Sequence, residues 1–298
     1  IKEVTGAEIN GCYSFGAQKI LVGCAPCQPF STMSYKRFIA SPRENDMKYD
    51  LLSEFGRLIK DVQPVVVAME NVPELRNTGV FQSFLETLRD NGYFTDGGRV
   101  VYCPDYGIPQ NRHRFILLAS RIGEITLLPP THKRKEVTVR PFIEKLPPIA
   151  AGEMYEFDKL HRTASLSEIN LKRIKASVPG GTWKDWPEEL RCACHKKDSG
   201  QTYTSVYGRM SWDKIGPTMT TQFFCYGTGR YGHPEQDRAL SLREGALLQT
   251  FPRDYEFFPP DVTDYCMRDV ARHIGNAVPV RLGEVIGESI RIHLNERQ

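Results

Sequence analysis

A cysteine and a glutamate each follow a strand-like segment early in the chain, and together they could perform covalent catalysis. Cys27 lies in the turn formed by residues 26–31, and Glu70 begins the segment Glu70-Asn71-Val72. A thiolate is a nucleophile and a carboxylate transfers protons, so the two residue types predict a nucleophile with an acid–base partner. Prolines at positions 26 and 29 stiffen the turn, which a cysteine that only fills space in a core would not need.

The elements that must position these two residues are predicted by hydrophobic patterning. Strand-like segments, which are short, apolar and rich in β-branched residues, are residues 19–23, 65–69, 100–103 and 115–119. Apolar residues at helical spacing follow the first two strands, in residues 51–62 and 80–88. This order predicts an α/β fold in which residues 19–23 form a fully buried strand of a parallel sheet with helices on both faces. Ligands bind at the carboxyl ends of such strands, where Cys27 and Glu70 both fall.

The spacing of Cys24 and Cys27 leaves two other chemistries open. A C-x-x-C pair after a strand can be a redox couple or half of a metal site. No second C-x-x-C or histidine pair stands at zinc-like spacing, and Pro29 prevents the early helix that a thioredoxin-like motif needs. Both alternatives are therefore disfavoured.

Two further motifs are interpreted as carrying no site. Cys192-Ala193-Cys194-His195 lies in a polar stretch without a partner cluster, so no metal site is predicted. Residues 227–232 fit G-x-G-x-x-G after the strand-like residues 223–225, but no apolar helix follows the last glycine. We predict a loop there and not a phosphate-binding turn.

A pair of arginines enters the fourth predicted strand. Arg112 and Arg114 stand two residues apart on an extended segment, so their side chains are expected on one side of it. Guanidinium groups bind phosphate or carbonyl oxygens through a rigid fork of donors. The alternative is a sheet edge protected by charge, which the two arginines alone do not exclude.

Taken together, five ordered motifs resemble those of the bacterial DNA cytosine-5 methyltransferases. The resemblance covers nearly the whole chain and rests on residues 26–31, Glu70-Asn71-Val72, Gln110-x-Arg112-x-Arg114, residues 238–252 and Gly275-Asn276-Ala277-Val278-Pro279. It implies the Rossmann-like doubly wound sheet of a class I methyltransferase, with a small, irregular target recognition domain. The implied bounds are residues 1–121 and 237–298 for the catalytic domain and residues 122–236 for the recognition domain.

The resemblance also implies a mechanism. A cytosine would be flipped out of double-stranded DNA, and Cys27 would add to carbon 6 of its ring. Glu70 would hold or protonate ring nitrogen 3, and Arg114 would reach the ring carbonyl or brace Glu70. Arg112 would hold a backbone phosphate, and Asn71 would shape the turn. Carbon 5 would then take a methyl group from S-adenosylmethionine, and elimination would release Cys27.

Binding residues are implied in the same way. The remaining wall of the cofactor pocket would be formed by Pro26, Leu51, Asn276, Ala277 and Val278. Contacts with DNA would come from Ser31, Gln110, Lys133, Arg134, Thr218 and Thr220.

Composition excludes several other classes of protein. The chain has 298 residues, of which 40% are hydrophobic and 25% charged, so it is neither disordered nor collagen-like. Its eight cysteines are too sparse for a disulfide scaffold and favour reduced thiols inside a cell, in agreement with a bacterial cytoplasmic enzyme. The net charge of +3 does not itself predict nucleic-acid binding, so any basic surface must be local.

The beginning of the chain departs from the family pattern. Residues 1–4 resemble those just after the third strand of the family, and no Gly-rich cofactor block is present. We therefore expect this chain alone to bind cofactor weakly and to need a preceding segment or a second polypeptide for activity. The alternative function is a DNA-binding or regulatory fragment that does not methylate, although such a fragment would not need Cys27.

Overall fold

The computed structural model describes residues 1–24, 51–132, 137–259, 262 and 264–297. These residues form two compact units. The first comprises residues 1–102, 113–129 and 284–298, and the second residues 103–112 and 130–283. None of the helices in the described ranges is long and apolar enough to cross a membrane.

The secondary structure contains short strands and mostly short helices. The described strands are β1 (Ile20–Gly23), β2 (Val66–Asn71), β3 (Arg99–Tyr102), β4 (His113–Ser120), β5 (Met154–Tyr155) and β6 (Asp158–Arg162). The described α-helices are α1 (Gly6–Gly11), α2 (Leu51–Val62), α3 (Gly79–Asp90), α4 (Arg140–Ile143), α5 (Glu168–Lys175), α6 (Leu242–Leu248), α7 (Met267–Asn276) and α8 (Val280–Glu296). Each strand and helix predicted for residues 51–119 is present at nearly the predicted position.

The sheet of the first unit is mixed, which corrects the prediction of a parallel sheet. Its order is β1-β2-β4-β3. Only β1 and β2 are parallel, whereas β4 runs antiparallel to both β2 and β3. The connection from β3 to β4 contains only a short 3₁₀ turn, Cys103–Tyr106, and is too short for the crossover that a parallel pair needs.

The prediction that β1 is fully buried is also wrong. Among the described strands β1 pairs only with β2 and lies at the edge of the sheet, and Val22 is 58% exposed. The neighbouring β2 is buried along its whole length because it lies between β1 and β4. An apolar, β-branched segment thus identified the strand but not its place in the sheet.

Helices lie on both faces of this sheet, as predicted. On one face, alternate residues of β2 and β4 pack in a core with α2 and α3, including Val67, Phe115, Phe55 and Phe84. Alternation sends Glu70, Arg114 and Ser120 to the other face. There the ring of His293 in α8 hydrogen-bonds to the hydroxyl of Ser120 at 2.8 Å.

The second unit is largely irregular, as predicted for residues 122–236. It contains the two-stranded β5–β6 sheet, a core around α6 and α7, and a smaller core around Trp183 and Trp186. The predicted capping box of α6 is present, with Ser241 and Glu244 satisfying each other's backbone donors. Residues 227–232 form a loop as predicted, but residues 223–225 do not form a strand, and Phe223 and Phe224 lie in a turn.

The packing units do not follow the proposed functional domains. Residues 237–283, which the family resemblance places in the catalytic domain, pack with the second unit. The units group residues by packing, so the functional bounds at 121 and 236 stay a prediction.

A buried charge cluster holds together two turns of the second unit. Arg238 donates to both carboxylate oxygens of Glu244, at 2.7 and 2.8 Å, and all these atoms are buried. Burial alone would raise the pKa of Glu244, but the charge and hydrogen bonds of Arg238 outweigh it and lower the pKa to about 2. His233 lies 3.5 Å from the same carboxylate. Its Nδ1 accepts hydrogen bonds from the backbone N–H groups of Glu235 and Gln236, so this nitrogen cannot take a proton without losing both.

Folding stability should therefore fall in mild acid because of His233. The pKa of His233 is lowered to about 4, mainly because burial desolvates its charged form. The nearby positive groups Arg238, Arg209 and His161 lower this pKa further, whereas the charge of Glu244 raises it. Below the unfolded pKa of ~6.5 the unfolded chain binds a proton that the folded chain refuses, so stability is lost as the pH falls from ~6.5 towards 4. We expect a loss of ~2 kcal/mol between pH 7 and pH 5, measured by urea unfolding.

The variant His233→Asn separates this effect from general acid sensitivity. An asparagine oxygen can still accept the two backbone hydrogen bonds but does not titrate, so the loss between pH 7 and pH 5 should shrink by most of that amount. His273→Asn, at an exposed position of α7, is the matched control. An unchanged pH dependence in His233→Asn would contradict the assignment.

Candidate active site

Glu70 and Arg114 form an ion pair on one face of the sheet in the first unit. Glu70 is aligned with Ile116 across the β2–β4 pair, so Arg114, two residues away on β4, is its diagonal neighbour on the same face. The Nε of Arg114 donates to Oε1 of Glu70 at 2.7 Å. The two side chains are 13% and 11% exposed, so the pair is shielded but open on one side. Asn71 accepts the N–H of Val72 and so shapes the turn that follows.

Cys24 lies beside this pair but is a weak nucleophile. Strand β1 ends at Gly23, which is aligned with Met69, so Cys24 emerges next to Glu70. Although Cys24 as a residue is exposed, desolvation by the surrounding chain and the charge of Glu70 raise the pKa of its thiol to about 12. A thiol that stays protonated at neutral pH is a poor nucleophile.

Several predicted site residues lie outside the described residues, so their placement stays a prediction. They are Pro26, Cys27, Ser31, Lys133 and Arg134. Strand β1 ends four positions before Cys27, at the same end of the sheet as Glu70.

In the second unit, Gln110 connects separate blocks of sequence. Its amide nitrogen donates to the carbonyl of Leu248 and to Oε1 of Gln249, at 2.8 and 2.7 Å. Its amide oxygen accepts the N–H of Met219 at 2.8 Å. Gln110 is fully buried, so these hydrogen bonds give it a structural role, and its predicted contact with DNA is untested.

Arg112 and the two predicted threonines lie along the same pair of segments. Residues 109–112 run beside residues 216–219, joined by hydrogen bonds from the N–H of Asn111 to the carbonyl of Gly216 and from the N–H of Gly216 to the carbonyl of Pro109. Arg112 is 5% exposed and donates to the carbonyl of Met219 at 3.0 Å. Thr218 is partly exposed and donates to Asn111, whereas Thr220 is exposed. The geometry gives Arg112 a bracing role, and its predicted phosphate contact stays a prediction.

The predicted cofactor residues of the second unit are tied to the same group of segments. Asn276 ends α7 and is exposed, while Ala277 and Val278 are half-buried. The amide of Gln249 donates to the carbonyl of Ala277 at 3.2 Å. A methyl group at Gly275 would collide with the backbone of Thr220, so only glycine permits this close approach.

Gln249 is the residue whose importance the sequence did not reveal. It is fully buried, accepts from Gln110, and donates to Ile274 at 2.6 Å as well as to Ala277. The side-chain amide of Gln249 therefore joins residues from three of the five motif blocks through hydrogen bonds. The available signal was its place in the block of residues 238–252, but nothing local distinguishes it from an exposed glutamine.

Replacing Gln249 by leucine should cost ~2–4 kcal/mol of folding stability, because it leaves the buried carbonyl of Ile274 and the half-buried carbonyl of Ala277 without this donor. Urea unfolding at pH 7 measures the loss. Gln82→Leu, at an exposed position of α3, should change stability by no more than ~0.5 kcal/mol. Equal losses of stability in the two variants would contradict the structural role assigned to Gln249.

Comparison with known proteins identifies the class. A profile of the C-5 cytosine-specific DNA methylase family matches residues 1–291. The chain belongs to this family, whose members transfer methyl groups to cytosine in DNA.

Two of its relatives are bacterial type II methylases. The chain is 52% identical to the type II methylase M.HgiDII of Herpetosiphon aurantiacus, over 100% of the chain and 84% of that protein. It is 32% identical to the type II methyltransferase M.Eco47II of Escherichia coli, over 93% of the chain and 64% of that protein.

Solved structures confirm the fold. A DNA modification methyltransferase encoded within a prophage of E. coli aligns with a TM-score of 0.69 at 19% identity, over 98% of this chain and 84% of that one. The Dnmt2 methyltransferase of S. pombe aligns with a TM-score of 0.59 at 15% identity, over 97% and 81%. The chain thus has the methyltransferase α/β fold predicted from its sequence.

Enzymes of this family use S-adenosylmethionine. The described residues predicted to bind this cofactor have side chains that suit its adenosine ring but not its ribose. Leu51 is the half-buried first residue of α2 in the first unit. In the second unit, Asn276, Ala277 and Val278 offer apolar contacts and one amide, which suit an adenosine ring. None of these residues is a carboxylate that could bind ribose hydroxyls.

Proposed function

We propose that this protein methylates carbon 5 of a cytosine that is flipped out of double-stranded DNA, through a covalent intermediate on Cys27. The observation that carries the proposal is the Glu70–Arg114 ion pair at the end of β2. A carboxylate held on one side by a cation is positioned to bind a polar edge of a pyrimidine on the other side. S-adenosylmethionine supplies the methyl group when it is bound.

Three side chains then have defined roles in the reaction. The thiolate of Cys27 attacks carbon 6, which places electron density on carbon 5. Glu70 holds or protonates ring nitrogen 3 as charge develops there. Arg114 fixes the carboxylate of Glu70 through its Nε and donates from Nη1 to the carbonyl of His113, which leaves Nη2 for the ring carbonyl.

We propose a different task for the residues of the second unit. Gln110, Arg112 and Gln249 hold residues 216–221 in place, so that the hydroxyls of Thr218 and Thr220 can contact the DNA backbone. Ser31, Lys133 and Arg134 are further proposed DNA contacts, and Pro26 contributes to the cofactor pocket.

We also propose that the cofactor pocket is completed by residues outside this chain, in the same polypeptide or a separate one. The support is the exposure of apolar side chains in and shortly before the edge strand β1: Val22 is 58% exposed, and Phe15, five residues before the strand, is fully exposed. Apolar edge strands are normally covered or paired. Addition of such a segment should raise cofactor affinity, whereas tight binding by this chain alone would contradict this part of the proposal.

The test is identification of the product base. The full-length protein is incubated with labelled S-adenosylmethionine and DNA of varied sequence, and the DNA is hydrolysed to nucleosides. The proposal predicts 5-methylcytosine as the labelled product. Label in another base, or DNA binding without any transfer, would contradict it, and the latter result would favour a non-catalytic DNA-binding protein.

A further inference from the structure

Two cysteines and a histidine of the second unit come together in a cluster that the methyl-transfer reaction does not use. The thiols of Cys192 and Cys194 and a ring nitrogen of His195 all lie within 4.8 Å of one another. Within the ranges that the structure describes, this is the one group of three such side chains with metal-binding separation. Sequence spacing had predicted no metal here.

The histidine of this cluster is buried with an unsatisfied ring nitrogen. His195 is 5% exposed, and its buried Nδ1 has no hydrogen-bond partner. Its ring stacks on Trp183 at a centroid separation of 4.1 Å and is flanked by Trp186 and Tyr207. A buried imidazole nitrogen without a partner is costly, and coordination of Nδ1 to a metal would remove that cost.

We propose that Cys192, Cys194 and His195 bind one zinc ion that fixes the segment 183–200. Thiolates and imidazole are the ligands that zinc prefers, and a fourth position remains for water. Zinc–ligand distances of ~2.0–2.3 Å need ligand atoms ~3.5–3.8 Å apart in a tetrahedron, so the three atoms must close by only ~1 Å.

The local fold explains what such an ion would do. Residues 183–200 consist of four 3₁₀ turns, Trp183–Asp185, Glu188–Leu190, Ala193–Lys196 and Asp198–Gly200, which pack near a small core. Short 3₁₀ turns have poor hydrogen-bond geometry, so the segment has little regular structure of its own. A metal ion bound to three residues would stabilise the segment more than its small hydrophobic core can.

Charge around the cluster is compatible with bound zinc. Two thiolates, a neutral imidazole and Zn²⁺ have no net charge, which suits a partly buried site.

The test uses Co²⁺ as a spectroscopic probe on the full chain, freed of metal with a chelator under reducing conditions. Thiolate ligands and tetrahedral geometry give charge-transfer bands in the near ultraviolet and intense visible bands. We expect one Co²⁺ per chain, displaced by Zn²⁺, with affinity reduced by ~100-fold or more in Cys194→Ser. Cys194 is exposed, so this substitution spares the fold, which circular dichroism checks.

Cys266→Ser is the matched control, because Cys266 is also exposed but lies outside the cluster. It should leave Co²⁺ affinity within ~3-fold of the parent. Absence of thiolate–Co²⁺ bands in the folded protein, unchanged affinity in Cys194→Ser, or equal loss in Cys266→Ser would each overturn the proposal. Metal binding is read directly from absorption, so the outcome does not depend on whether the chain methylates DNA.

Discussion

Replacement of Cys27 by alanine will reduce the methylation rate by at least ~10⁴-fold, because it removes the nucleophile that forms the bond to carbon 6. Binding to target DNA should persist, since the thiol contributes little to affinity. The measurement is initial-rate transfer of labelled methyl groups, with DNA binding measured separately by a mobility shift.

Cys24→Ala is the matched control for this experiment. It removes a thiol three positions earlier whose pKa is raised to about 12, so that it stays protonated at neutral pH. The variant should keep the rate within ~10-fold of the parent. The assignment would be refuted if Cys24→Ala were inactive while Cys27→Ala retained activity.

Replacement of Glu70 by glutamine will lower the methylation rate by ~10²–10⁴-fold, the range expected for loss of a positioned acid–base group. Glutamine keeps the size of the side chain but can neither transfer a proton nor balance charge on ring nitrogen 3. It also leaves the largely buried guanidinium of Arg114 without its carboxylate. The effect should fall mainly on kcat, with KM for DNA changed much less.

Two further variants show whether this loss is specific. Glu86→Gln, at an exposed position of α3, should have no effect on the rate. Arg114→Lys keeps the charge but loses the Nε contact, so its rate should lie between those of the parent and Glu70→Gln. A Glu70→Gln variant with the parental rate would contradict an acid–base role.

The local elements of this fold could be predicted from sequence because their patterns are local. The helices α2 and α3 bury one face each, and β2 is a continuous apolar run. The direction of β4 could not be predicted, because pairing in a sheet depends on partners that are distant in sequence. For the same reason the predicted burial of β1 was too high, because an apolar strand has the same sequence pattern at the edge of a sheet as at its centre.

The candidate site was predicted to a similar extent. Glu70 and Arg114 were both selected from their motifs, but their contact depends on the antiparallel register of β2 and β4. The meeting of Gln110 and Gln249 joins residues 139 positions apart, which no spacing rule reveals. The sequence predicts no metal site at Cys192, Cys194 and His195, because spacing does not show that His195 is buried beside both thiols.

The most direct test of the central claim is capture of the covalent intermediate. Duplex DNA with 5-fluorocytosine at the methylated position is incubated with the full-length protein and S-adenosylmethionine. Fluorine cannot leave as a proton does, so elimination fails and the adduct accumulates. We predict a denaturation-resistant complex whose peptide map places the DNA on Cys27, and which is absent in Cys27→Ala. A complex that survives Cys27→Ala, or one that maps to Cys24, would contradict the account.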